Sequence, residues 1–180
     1  MVPERSAPII DVGGGASTLV DGLSAEGYSN ITVLDVSGAA LAQAADRLGA
    51  DAARVTWLEA NILDIQLPVS GYELWHDRAV FHFLTDAADR RRYVEQVLGA
   101  VRVGGHVVVA TFASDGPARC SGLEVARYDP DELHAQFGSE FQLLESAREE
   151  HRTPSGAGQA FIYCMCRKGP LTTPPLGQRA

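Results

Sequence analysis

The sequence has a single lysine, Lys168, and arginine carries the rest of its 15 basic residues against 23 acidic ones, for a net charge of −8. A surface of that sign repels a phosphate backbone, which argues against nucleic acid as the main partner. Cysteine is scarce, with only Cys120, Cys164 and Cys166. An odd number without framework spacing excludes a secreted disulfide scaffold. No apolar run approaches the roughly 18 residues needed to cross a bilayer, so no membrane partner is expected. The first eight residues include Pro3, Glu4, Arg5 and Pro8, which does not read as a signal peptide, and a cytoplasmic location is the expectation. A phosphate loop of the GxxxxGKS or GxxxxGKT type is missing, which argues against ATP or GTP hydrolysis.

What is present suits one globular domain. The 180 residues are 46% hydrophobic and 21% charged, enough to bury roughly 70% of the unfolded surface. The domain is expected over residues 1–168. Residues 169–180, with three prolines and no apolar period, read as a loose tail.

Hydrophobic periodicity alternates between strand and helix. Strands are expected at 7–12, 30–34, 54–58 and 72–76, and at 106–112 after a turn at Gly104-Gly105. Helices are expected at 17–26, from Ser37 to a stop at Gly49, at 87–101, and at 129–137 with Pro130 in the first turn. Two late strands, 141–149 and 160–167, are joined by a short Pro/Gly/Ser loop and so must run antiparallel. Regular β–α alternation predicts an α/β fold, a doubly wound, mostly parallel sheet with helices on both faces. The basic run Arg90-Arg91-Arg92 falls on a helix and reads as a solvated face.

In such sheets ligands bind beyond the carboxyl ends of the strands. The first strand ends in Asp11-Val12-Gly13-Gly14-Gly15-Ala16-Ser17. Glycines let the chain turn sharply and be approached closely, and the following helix offers free N–H groups. The second strand is followed at once by Asp35, placed to accept hydrogen bonds from ribose hydroxyls. Turn and acid together read as a site for an adenosine cofactor. A dinucleotide fingerprint would need glycine where Thr18 stands. Asp11, two residues before the first glycine, would repel a pyrophosphate but suits a cationic group.

These residues resemble the class I S-adenosylmethionine-dependent methyltransferases. Asp11, Gly13, Gly15 and Ser17 match the first motif of that family, D/E-x-G-x-G-x-G/S, and Asp35 matches its second-strand acid. Val103-Gly104-Gly105-His106 is similar to its L-x-P-G-G approach to the fifth strand, with valine in place of proline. The stretches Trp75–Leu84, Cys120–Leu123 and His151–Gly156 look like those of a group of small bacterial methyltransferases. The resemblance implies a Rossmann-like seven-stranded sheet of order 3-2-1-4-5-7-6, with strand 7 antiparallel. It implies S-adenosylmethionine as cofactor and S-adenosylhomocysteine as product. Gly13, Gly14 and Gly15 would pass the methionine part, with Asp11 and Ser17 beside them. Asp35 and Val36 would hold the ribose end. Asn61 stands where the family has an aspartate for the adenine amino group, and Ile62 would pack on the ring. An Asn/Asp-Pro-Pro-Tyr/Phe motif is missing after the fourth strand, which argues against base or amide nitrogens as acceptors. The family's covering helical segment before the first strand has only about six residues to correspond to it here. The site is then either unusually open, or the chain lacks its cover.

Methyl transfer needs an aligned acceptor and, for some acceptors, a base. His82 is a candidate base or a packing histidine. Asp77 is a candidate for the cofactor's methionine end or a substrate cation, or a surface-loop residue. Arg78 is a candidate for a substrate carboxylate, or an ion-pair partner of Asp77 or Asp86. Cys120 could face the substrate. Cys164 and Cys166 share one face of the last strand and read as core, and no metal site is expected. His151 could reach the pocket rim, and His106, His134, Trp57 and Trp75 read as structural. The function expected is methylation of a small acceptor: a thiol, metalloid, hydroxyl or amine. A protein lysine and a catalytically weak binding module are the alternatives.

Overall fold

Short β-branched runs buried on both faces form the centre of the molecule. Ile9–Val12 (β1) is wholly buried, and Ile31–Asp35 (β2) is buried up to its final aspartate. Both pair in parallel, with β2 against Val55–Glu59 (β3) and β1 against Tyr72–Arg78 (β4). The computed structural model describes residues 4–153, 156 and 158–170. The strands Val101–Phe112 (β5), Phe141–Arg152 (β6) and Gly158–Lys168 (β7) complete a seven-stranded sheet of order β3-β2-β1-β4-β5-β7-β6. Only β7 runs against its neighbours, pairing antiparallel with both β5 and β6. The architecture expected from the sequence is therefore the one observed.

Leu19–Ala25 (α1) and Gly38–Leu48 (α2) cover one face. Their Val20 and Leu41 pack on Ile9, Ile31, Val33 and Val55. Ala87–Ala100 (α3) and Pro130–Phe137 (α4) cover the other, where Tyr93, Val97, Leu133 and Phe137 meet Trp75, Val107, Val109 and Cys164. Caps start three of these helices. Ser37 accepts from the Ala40 N–H, Asp86 from the Ala88 N–H, and Asp129 with Glu132 forms a capping box.

Several boundaries differ from expectation. β4 runs two residues further, because its pairing continues through Asp77↔Val109 and Arg78↔Ala110. Asp77 and Arg78 are therefore strand residues. The Gly104-Gly105 pair does not separate helix from strand. It lies inside β5, where the register against β4 jumps from Tyr72↔Val101 to Leu74↔His106 and Gly104 takes φ +81°. The β6–β7 hairpin is longer at its loop end, which puts His151 and Arg152 within a strand. Its loop residues Pro154, Ser155 and Ala157, and the tail from residue 171 on, lie outside the described residues. A two-stranded hairpin of Arg119–Cys120 with Leu123–Glu124, not foreseen, follows β5.

Lys168, the last residue of β7, is buried, and its Nζ donates to the carbonyls of Leu98 and Val101 at the end of α3. Burial pushes its ammonium down from the usual lysine range. The contact supplies both a donor and a positive charge to a helix C-terminus. Lys168→Met should cost about 1–3 kcal/mol of stability by urea denaturation, as expected for two lost charge-assisted bonds. A change within error would show that the strand end is held by packing alone.

Candidate functional site

The carboxyl ends of β1 to β4 open into a cavity of about 430 Å³. Val12 and Gly13 line it from β1, Asp35 and Val36 from β2, Asn61 and Ile62 from the turn after β3, and Ala79 and Val80 from the turn after β4. Phe83, Leu84 and Leu123 of the small hairpin complete its walls. The volume and the mainly apolar lining suit a small-molecule site. A second cavity of about 590 Å³ lies at the opposite edge, among Glu73, His106, Leu144 and Arg167. Although larger, it is remote from the strand carboxyl ends, where ligands of such sheets bind.

Asp35 organises the mouth of the first cavity. Its Oδ2 accepts from the Gly15 N–H at 3.0 Å and its Oδ1 from the Ser37 N–H at 2.9 Å. Each oxygen keeps a lone pair for a further donor. The three glycines prove to be required by the protein's own side chains. A Cβ on Gly13, which has φ +74°, would meet Val80 Cγ2 at 2.0 Å. One on Gly14 would meet Asp11 Oδ2 at 2.2 Å, and one on Gly15 would meet Ala40 Cβ and Asp35 Oδ2, both at 2.8 Å. Asp11 is 2% exposed. Its Oδ1 accepts from His76 Nδ1 at 2.7 Å, while its Oδ2, turned to the glycine turn, has no hydrogen-bond partner among the described residues. A buried carboxylate oxygen left this way is costly unless a donor reaches it.

The remaining cofactor-side expectations divide. Val36 is 71% exposed beside Asp35, and Ile62 is buried against the cavity. Asn61 lines the cavity, and its Oδ1 also accepts from the Leu63 N–H, which closes the turn after β3. Ser17 does not line the cavity. Its Oγ accepts from the Leu19 N–H and its carbonyl from Arg47, so it serves the start of α1.

The residues expected to carry chemistry are engaged within the fold. Asp77 is fully buried and does not line this cavity. It accepts from the N–H groups of Val80 and Phe81 and from the Tyr93 hydroxyl, which in turn accepts from Trp75 Nε1. It therefore does not face solvent. Burial raises its pKa to about 6. His82 is also fully buried, packed on Phe83 and Phe112, with neither ring nitrogen partnered among the described residues. Burial pushes its pKa down to about 4, so the ring is neutral, and it lines no part of the cavity. Arg78 pairs with neither Asp77 nor Asp86. Its Nε donates to the Tyr163 hydroxyl at 2.8 Å and its guanidinium lies over the Phe161 ring.

Residues 9–105 match the methyltransferase domain family. The chain belongs to that family. An uncharacterized methyltransferase of Mycobacterium tuberculosis and its counterpart in Mycobacterium bovis are each 30% identical to this chain over 123 residues, 68% of this chain and 58% of the relative. The match thus spans less than two thirds of those relatives' length. Among solved structures, a SAM-dependent methyltransferase of Methanosarcina mazei superposes with TM-score 0.76 at 16% identity, covering 93% of this chain and 94% of the other. The 1,6-didemethyltoxoflavin-N1-methyltransferase of Burkholderia thailandensis, solved with its substrate and S-adenosylhomocysteine, gives 0.73 at 20%, covering 92% and 72%. Likeness at that identity concerns the fold.

Other residues of the site were not singled out from sequence. His76 as partner of Asp11 follows from the register Asp11↔His76 between β1 and β4, visible only once those strands are paired. Val80 and Leu123 carry no sequence signal for their places in the cavity wall. Cys164 and Cys166 are buried toward α4, and burial pushes their thiols up to about 11 and 12. Cys120 packs with Phe112 and Phe161 on the opposite face of the sheet. Among the described residues no cluster of His, Cys, Asp and Glu is suited to a metal.

Asp77 and His82 act oppositely on stability as pH falls. A carboxyl raised from 3.8 to about 6 keeps a proton that the unfolded chain releases, so its contribution favours the fold in acid and declines as pH rises from about 4 to about 6. A histidine lowered from 6.5 to about 4 must stay neutral in the fold, so its contribution is lost as pH falls across that window. Asp77→Asn removes the first effect and leaves the second. Urea denaturation should show the variant losing stability more steeply than the parent below about pH 6.5, by an extra ~2 kcal/mol near pH 4. Parallel curves would mean that Asp77 is ionised throughout.

Proposed function

We propose that this chain transfers a methyl group from S-adenosylmethionine to a small-molecule acceptor. The unpartnered Asp11 Oδ2, buried against the glycine turn of a cavity whose mouth carries Asp35, is the observation that carries the reading. It fits a cofactor with a cationic amino group at one end and a ribose at the other. Asp11 would accept from the amino group directly or through water, and Asp35 would accept from the ribose hydroxyls through its free lone pairs. Val36 and Ile62 would flank the adenine, with the Asn61 amide at its edge. The M. mazei and B. thailandensis structures support the assignment through their shared fold, and the second acts on a small molecule according to its name.

When bound, the cofactor supplies an electrophilic methyl carbon on a sulfonium sulfur. The chain's own contribution is alignment and dryness. The apolar side chains of Val80, Phe83, Leu84 and Leu123 wall the cavity and exclude water. His76 holds the Asp11 carboxylate in place through Nδ1. Neither His82 nor Asp77 reaches the cavity to take a proton, so the best acceptor is one whose nucleophile is available without a base from the protein.

Isothermal titration calorimetry tests the site. Asp35→Ala should weaken S-adenosylmethionine binding by about 1–3 kcal/mol, roughly 5- to 150-fold, the loss expected for charge-assisted bonds. Unchanged affinity would reject the site. Tritiated methyl transfer into a deproteinised metabolite pool, with none into protein, is the outcome that supports a small acceptor. Label in protein alone would overturn that part.

A further inference from the structure

We propose that the acceptor carries a carboxylate and that Arg78 receives it. The proposal rests on the methyltransferase reading of the neighbouring cavity and names the class of acceptor for it. Arg78 ends β4, and across the sheet it stands level with Ala110 on β5 and Tyr163 on β7. Ala110 has only a methyl group, so the arginine reaches over it. Its Nε donates to the Tyr163 hydroxyl at 2.8 Å and its Cζ sits 4.3 Å from the centre of the Phe161 ring.

Those contacts use one edge and one face of the guanidinium. The two terminal nitrogens have no hydrogen-bond partner, and no carboxylate lies within 4.0 Å of them, among the described residues. Arg78 shares the lack of an ion pair with Arg90, Arg91, Arg119, Arg127, Arg152 and Arg167 among the described residues. Arg5, Arg47, Arg54, Arg92, Arg102 and Arg148 are all paired with carboxylates. The nearby Glu149 bonds to the Tyr163 phenol instead of to the guanidinium. A half-buried guanidinium held on two sides, with its fork end open, is preorganised for a planar anion.

Arg78 does not itself line the cavity, but its neighbours in the chain and in space do. Ala79, the next residue, lines that cavity and also packs on the Ala110, Phe112 and Phe161 cluster under the arginine. The small hairpin touches both places, Leu123 on the cavity and Cys120 on the cluster. A carboxylate held by Arg78 directs the rest of a small acceptor toward Ala79 and the cavity that Ala79 lines. Transfer itself consumes no further reagent. The acceptor's nucleophilic atom bonds to the methyl carbon, the carbon–sulfur bond breaks, and its electron pair stays on sulfur as the neutral thioether.

The test uses the full chain saturated with S-adenosylhomocysteine and titrated with acetate, benzoate and succinate, each against its amide. The readouts are calorimetry and the Arg78 Nε–H resonance of the ¹⁵N-labelled protein. At least one acid should shift that resonance and bind about tenfold or more tighter than its amide, the margin expected for a charge-assisted bidentate pair. Arg78→Lys should abolish that preference with thermal stability retained. Tyr163→Phe, which frees Nε without removing the charge, should reduce it severalfold. Equal binding of acids and amides, or an acid preference that survives Arg78→Lys, would overturn the proposal. Failure to bind S-adenosylhomocysteine with the acid preference intact would overturn the methyltransferase reading instead, and leave Arg78 as an anion site.

Discussion

One carboxylate holds the two ends of the site together. Asp35 sits where β2 stops, and its two oxygens take the N–H of Gly15 from the first turn and the N–H of Ser37 from the start of α2. Bonds to a charged acceptor are each worth about 1.5–3 kcal/mol, more than most single contacts at a half-exposed edge. The clamp also dictates composition. With the carboxylate 2.8 Å from where a Cβ on residue 15 would sit, only glycine fits there. The shape of the turn, the entry angle of α2 and the rim of the cavity thus follow from one side chain, which still retains lone pairs for a ligand.

Asp11 sets the second constraint, and it is of the opposite kind. Asp35 is satisfied by the fold, whereas Asp11 is only half satisfied among the described residues, with one oxygen on His76 and the other orphaned against Gly14. A fold does not gain stability by burying such an atom. The tension is relieved by a ligand that brings a donor, which is why the two acids, similar in sequence context, are read as serving different parts of one cofactor.

The sheet was legible in the sequence because its signals are local. β-branched runs, helix caps and the Pro/Gly/Ser loop before β7 each act within a few residues. The acid–glycine turn and Asp35 were legible because their spacing is one helix plus one strand. What stayed hidden depends on pairing between distant segments. Nothing near Asp77 announces that Tyr93, 16 residues on, will bond to it. Its strand simply continues two residues beyond the apolar run, because β1 and β5 continue beside it. The glycine pair 104–105 reads as a turn, yet the chain absorbs it as an irregularity inside β5, where a side chain on Gly105 would strike the Glu73 carbonyl. His82 kept two readings open from sequence, and its burial between aromatic rings supports the packing one.

These placements bear on the chemistry more than the family match does. The carboxylate near the end of β4 is spent on a buried chain through Tyr93 to Trp75, and the histidine after the strand is neutral and enclosed. Neither presents a proton acceptor to the cavity. A site of this kind accelerates transfer by holding partners in line and keeping water out, effects that together can amount to about 7–11 kcal/mol when alignment is good. Alignment needs a fixed handle on the acceptor. The cavity walls at Val80, Phe83, Leu84 and Leu123 are apolar, and Arg78, next in sequence to the wall residue Ala79, has unused donors and is steadied from below by Phe161 and from the side by Tyr163. Selectivity in such a site would then come from the acceptor's charge, with its nucleophile left to react by proximity.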